Sequence, residues 1–161
     1  MDNKSTKLLV SLKKYYSDPK KMTILRNIVS NAPNNVSLRL VDWLVTNYSK
    51  IHCVVYDVNG KTFCLHQNYK NMLKAYSKRM FDPFRRHGRL YIDTSDGVFE
   101  TTVAQLTFFR WAIDNKVVKY AQDHKSKIKT DMEAQSVAVG KKKTSLKGTH
   151  IYNVNMTISF D

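Results

Sequence analysis

The stretch His52-Cys-Val-Val-Tyr-Asp-Val-Asn-Gly-Lys-Thr-Phe-Cys-Leu-His66 decides the fold class. Its side chains alternate with period two on either side of Asn59-Gly60, a pair in which both residues tolerate positive φ and which therefore closes a two-residue hairpin. With that turn, Val54, Tyr56, Phe63 and Leu65 share one face, and Cys53, Val55, Asp57, Thr62, Cys64 and His66 share the other. Downstream, Leu90–Asp93 and Val98–Thr101 flank Thr94-Ser-Asp-Gly97 and read as a second hairpin with Leu90, Ile92 and Phe99 on its apolar side. The alternation of Ile151, Tyr152, Val154, Met156, Ile158 and Phe160 predicts a last strand over 150–160.

Between these strands the period is helical. Leu8, Leu9, Leu12, Tyr15 and Tyr16 form one stripe, and Asp18-Pro19 then supplies an N-cap and a first-turn proline for a second helix carrying Met22, Leu25, Ile28 and Val29. The breaker-rich Asn31-Ala-Pro-Asn-Asn35 separates this pair, residues 1–31, from the rest, so the pair reads as an N-terminal helical extension. Ser37 caps a third helix with Leu40, Val41, Leu44, Val45 and Tyr48 on one face. After the first hairpin comes a helix with Tyr69, Met72, Leu73, Tyr76 and Met80 inward, ending at Phe81-Asp-Pro-Phe84 because proline disfavours helix in the residue before it. Thr101 or Thr102 caps the next helix, whose Leu106, Phe109, Arg110 and Ile113 lie along one line and Phe108, Trp111 and Ala112 along another, which predicts a central buried helix. A further helix is expected over 116–134, and a basic loop over 139–148. The expected architecture is a single α+β domain over 1–161, its core at 36–161 built of helices packed on two β-hairpins plus a C-terminal strand.

A chain of 161 residues with 42% apolar and 11% aromatic residues, and only 5 Gly and 3 Pro, has the composition of a folded domain. No apolar run reaches the roughly 18 residues of a membrane span, and lysines interrupt the first 16 residues before a signal-like core forms, so no membrane and no secretion are expected. The two cysteines suit a reducing compartment. The net charge of +14 favours anionic partners, and a net +6 of it falls within residues 69–89.

Lys70, Lys74 and Lys78 recur every four residues and would line one helix face, extended by Arg79, Arg85, Arg86, His87 and Arg89. Such a row can neutralise several phosphates, and the plainer reading is a solvated face or a protein contact. Lys141, Lys142, Lys143 and Lys147 offer a second cationic contact. The run Gly140-Lys-Lys-Lys-Thr-Ser145 is not a phosphate-binding loop, since Gln135 stands where that pattern requires glycine. Cys53, Cys64 and His66 on one hairpin face form a weak alternative zinc site, without any C-x2-C pair and lacking a fourth ligand. No HExxH, GxSxG or carboxylate cluster is present, and Asp42 and Asp82 read as structural, Asp82 capping the turn at Pro83. The chain therefore reads as non-enzymatic, with no cofactor.

The segments Ser37-Leu-Arg-Leu-Val-Asp-Trp-Leu-Val-Thr-Asn-Tyr-Ser49, Leu73-Lys-Ala-Tyr76, Phe81-Asp-Pro-Phe-Arg-Arg86, Thr102-Val-Ala-Gln-Leu-Thr-Phe-Phe-Arg-Trp-Ala-Ile113 and Ser159-Phe-Asp161 resemble a group of small proteins of nucleocytoplasmic large DNA viruses. The resemblance covers residues 36–161 and leaves the first two helices outside. It implies a virion or host-cytoplasmic setting, in which a basic protein meets the viral genome or the inner surface of a capsid. Two expectations follow: sequence-tolerant binding of viral nucleic acid in packaging or genome association, or a minor capsid or assembly role through contacts with virion proteins.

Overall fold

The computed structural model describes the backbone of residues 3–149 and the side chains of residues 3–137. Helices α1 (Asn3–Tyr15) and α2 (Pro19–Val29) form as their stripes predict, and the Asp18 carboxylate accepts from the Lys20 N–H at 2.9 Å at the start of α2. Leu12 and Leu25 are fully buried, and the Tyr16 hydroxyl donates to the Leu106 carbonyl at 2.7 Å. Tyr15 donates to Asp114 at 2.6 Å, and Arg110 donates to Ser11 at 2.8 Å. The N-terminal helical pair thus forms one wall of the core. Helix α6 (Val103–Asp114) is apolar on most of its circumference, and a surface of that kind needs cover on every side.

Ser37 caps α3 (Leu38–Trp43), its hydroxyl accepting from the Leu40 N–H at 3.1 Å. The helix then widens into a π-helical turn at Leu44–Tyr48 and ends in the single turn α4 (Ser49–Ile51). Leu40, Val41, Leu44, Val45 and Tyr48 are all buried, as their spacing predicts.

The first hairpin, β1 (Val55–Val58) and β2 (Lys61–Cys64), pairs Tyr56 with Phe63 and Val58 with Lys61, leaving Asn59 and Gly60 as the loop at φ 51° and 80°. Val54, Phe63 and Leu65 are buried, and the half-buried Tyr56 donates from its hydroxyl to the Asn115 carbonyl at 2.7 Å. The second hairpin, β3 (Arg89–Thr94) and β4 (Gly97–Thr102), sets Ile92 opposite Phe99. The hairpins remain two separate two-stranded sheets.

Thr102 caps α6, its hydroxyl accepting from the Gln105 N–H at 3.1 Å. Leu106, Phe108, Phe109 and Ala112 have no exposed surface, so α6 is the central helix. The helix expected over 116–134 is two: α7 (Val117–Asp123) and α8 (Lys125–Thr149) meet at His124, whose φ of −117° and ψ of 22° leave the helical region. Helix α8 also runs through 139–148, where a basic loop was expected. No proline interrupts that run, lysine is a good helix former, and Gly140 and Gly148 each cost only about 1 kcal/mol or less, Gly148 lying in the last turn. The strand expected over 150–160 lies outside the described residues.

Helix α5 (Leu65–Met80) is broken at Ser77, which sits at φ 62° and ψ 166°. That region is nearly restricted to glycine, and a β-carbon there costs on the order of 1–3 kcal/mol. Ser77→Gly is therefore expected to stabilise the protein by about 1 kcal/mol, once the greater freedom of glycine in the unfolded chain is subtracted. Thermal unfolding checks this, and a lower midpoint in the variant would show that the serine side chain earns its place by a contact stronger than the strain.

Candidate polyanion interface

Lys70 and Lys74 are exposed on the regular part of α5. The break at Ser77 ends their row, so Lys78 does not continue the face that helical spacing predicts for it. Lys78 lies instead near Asp42, whose carboxyl it draws downward against the larger upward push of burial and a smaller one from Asp82. Because folding raises this pKa, the stability gained from protonated Asp42 is complete below the unfolded value and is lost as pH rises through the folded value. Asp42→Asn is accordingly expected to raise the unfolding temperature at neutral pH and to leave it nearly unchanged below about pH 2.5, where Asp42 is protonated in both states. A gain of equal size at both pH values would show that the effect is not electrostatic.

The turn after α5 is built by short polar contacts. Phe81 is 1% exposed and fills the space between Phe108 and Trp111, with ring centroids 5.2 and 5.4 Å away. Asp82 accepts from the Phe84 N–H at 2.9 Å, the cap expected of it, and its own N–H donates to the Ala104 carbonyl at 3.3 Å. The buried Gln105 amide donates to the Pro83 carbonyl at 2.8 Å, and Thr102 donates from its hydroxyl to the Arg85 carbonyl at 3.2 Å. The backbone that carries Arg85 is thereby tied to the first turn of α6. Arg86 is exposed, and its carbonyl accepts from Arg89 Nε at 3.2 Å. The Arg89 guanidinium is paired with Glu100 on the neighbouring strand, so much of its charge is spent inside the hairpin and it is the weakest member of the expected set.

Lys4, Arg79, Arg85 and His87 line a cleft of about 840 Å3 between α1, the end of α5, β3 and the start of α6, with Lys4, Arg79 and His87 exposed at its opening. Among the described residues no carboxylate lines this cleft, and none of Lys70, Lys74, Arg79, Arg85 and Arg86 is in an ion pair. A second cleft of about 560 Å3, between α2 and the second hairpin, differs: its Arg26 pairs with Asp96 and donates to Thr94. Lys4 was not legible as a site residue, since its place on the rim depends on α1 packing against α6, far away in the chain. Lys141, Lys142, Lys143 and Lys147 fall on the α8 backbone, and their side chains lie outside the described residues.

The Cys53, Cys64 and His66 arrangement does not assemble. Strand β1 begins only at Val55, so Cys53 stands before the ladder at φ 47°, and β2 gives way to α5 at Leu65. Both cysteines are exposed, while His66 Nδ1 turns toward the Val45 carbonyl at 3.3 Å. Among the described residues no three His, Cys, Asp or Glu side chains gather as metal ligands. A polar tie that sequence reasoning missed joins α8 to α3 and α4: Trp43 donates to Asp131 at 3.0 Å, and His52 Nε2 lies 3.2 Å from the other oxygen of the same carboxylate.

No helix among the described residues is long and apolar enough to cross a membrane. The chain is 34% identical, over 98% of its length, to an uncharacterized protein of Acanthamoeba polyphaga mimivirus, and spans 65% of that relative's length. This giant-virus relative agrees with the viral resemblance of the quoted segments. No solved structure matches the chain. The similarity also extends further than those segments suggest, because a family match beginning at residue 1 takes in α1 and α2, which bury side chains in the common core. With a match across residues 1–158, the chain belongs to a family of unknown function, DUF7197.

Proposed function

We propose that this protein binds nucleic acid through sequence-tolerant backbone contacts, in packaging or association with a viral genome, within the virion or the host cytoplasm. The observation that supports this reading is the set of cations without carboxylate partners among the described residues, which runs from Lys70 and Lys74 on α5 through Arg79 at its end to Arg85 and Arg86 in the turn after it. Unpaired surface cations repel one another and gain most from a polyanion, which releases its own condensed counterions on binding. Contacts of this kind position a protein on phosphates without reading bases. The rigid turn at 81–86 holds Arg85 in place before binding, which lowers the ordering cost of the contact.

The test is binding of nuclease-treated protein to labelled DNA and RNA across about 50–200 mM salt. A log–log slope of about −3 or steeper on duplex DNA is expected, since each neutralised phosphate contributes about −0.9. No binding at the lowest salt would overturn the reading and favour the structural role in assembly. That second reading rests on the second hairpin, where Tyr91 and Val98 are 66% and 63% exposed on a two-stranded sheet with open edges, a surface suited to strand addition by a virion protein.

A further inference from the structure

The cleft flanked by Arg79, Arg85 and His87 has an apolar floor that phosphate binding does not use. Leu8 of α1, Tyr76 and Met80 of α5, and Leu90 of β3 line it, all half-buried, with the fully packed Phe81 behind Tyr76 at 6.3 Å and a near-parallel 18°. The cations and the apolar side chains come from α1 and from the stretch 76–90, which are separated by more than sixty residues, so the combination is a property of the fold and not of one amphipathic helix. Its volume of about 840 Å3 is large enough for a nucleobase with its sugar and phosphate.

We infer that this cleft takes single-stranded nucleic acid, with phosphates on Lys4, Arg79, Arg85 and His87 and an unstacked base on the floor of Leu8, Tyr76, Met80 and Leu90. The inference rests on the nucleic-acid reading above and narrows it from nucleic acid of any form to an open strand. A duplex keeps its bases paired and stacked, so it would reach the rim and leave the floor in water. An open strand satisfies both parts at once, because every base has an apolar face to lay on such a platform. An acyl anion fits less well: Lys4, Ala75, Arg79, His87 and Gly88 are exposed along the cleft, whereas an acyl chain requires walls that close over it.

The experiment compares three probes of equal length, about ten nucleotides, at fixed salt: oligothymidylate, an abasic deoxyribose-phosphate strand, and a duplex. Oligothymidylate is expected to bind about tenfold or more tightly than the abasic strand. Leu8→Ser and Leu90→Ser should each remove most of that ratio while leaving abasic binding unchanged, and Arg79→Ala should weaken both probes alike. The two serine variants lie on different elements, and the ratio on the unaltered protein stands even if one of them fails to fold. Equal binding of thymidylate and abasic strands overturns the inference and leaves backbone binding intact. Binding to none of the probes overturns both. Retention of oleate with no strand binding assigns the cleft to an acyl anion and overturns both as well.

Discussion

Replacing Lys74, Arg85 and Arg86 together by glutamate is expected to lower affinity for nucleic acid by at least a hundredfold at about 100 mM salt, with little change in the unfolding midpoint. The reversal removes three phosphate contacts and puts three repulsive charges in their place, so the log–log salt slope should also become shallower by roughly 2–3. Stability should hold because the Lys74 and Arg86 side chains are exposed, and the tie from Arg85 to α6 is made by its backbone carbonyl, which the substitution keeps. Reversing Lys61, Lys116 and Lys127 instead changes the net charge by the same amount at exposed positions on the first hairpin, at the start of α7 and on α8. That control should retain affinity within about a factor of five, since charges beyond a Debye length of roughly 10 Å are largely screened. Equal losses in the two triple variants would mean that overall charge, and no particular surface, carries the binding.

Phe81→Ala is expected to cost about 3–5 kcal/mol, the usual range for emptying a phenylalanine site in a packed core. Phe81 is 1% exposed, and its ring neighbours are Tyr69, Tyr76, Phe108 and Trp111. These belong to α5 and α6, so the cavity cannot close without moving a helix. A loss of this size is a large part of a typical domain stability of about 5–15 kcal/mol, and it should lower the midpoint by roughly 10 °C. Phe84, three residues on and 44% exposed, is the internal comparison: Phe84→Ala should cost under about 1 kcal/mol. Chemical denaturation of both variants decides the matter, and similar losses from the two would refute the view that Phe81, and not Phe84, is the aromatic anchor of this turn.

The two phenylalanines show how far the site could be read from residues in order. The motif Phe81-Asp-Pro-Phe84 announces the end of a helix and an aspartate-capped turn, both of which the structure contains, since proline and a capping carboxylate act over three or four residues. Which ring is buried and which stays exposed depends on α6, more than twenty residues later. The same division runs through the cations. Lys70 and Lys74 share a face because helical spacing requires it, whereas the break at Ser77 carries no proline or glycine to signal it and redirects Lys78 toward Asp42. Arg89 reads as a free cation until the register of the second hairpin brings Glu100 beside it.

By itself the sequence determined the α+β class, the two hairpins with Asn59-Gly60 at the first loop, the caps at Asp18, Ser37 and Thr102, and the burial of α6. Each follows from interactions within a few residues or from the period of apolar side chains, and those are written in the local order of the chain. Only the tertiary structure decided that the N-terminal pair belongs to the core, that the cysteines and His66 do not converge, and that Lys4 and Leu8 meet Arg79, Arg85 and Leu90 around one cleft. The first and the last of these depend on the packing of segments some 70 to 90 residues apart, where burial of apolar surface selects the partner and no local pattern names it.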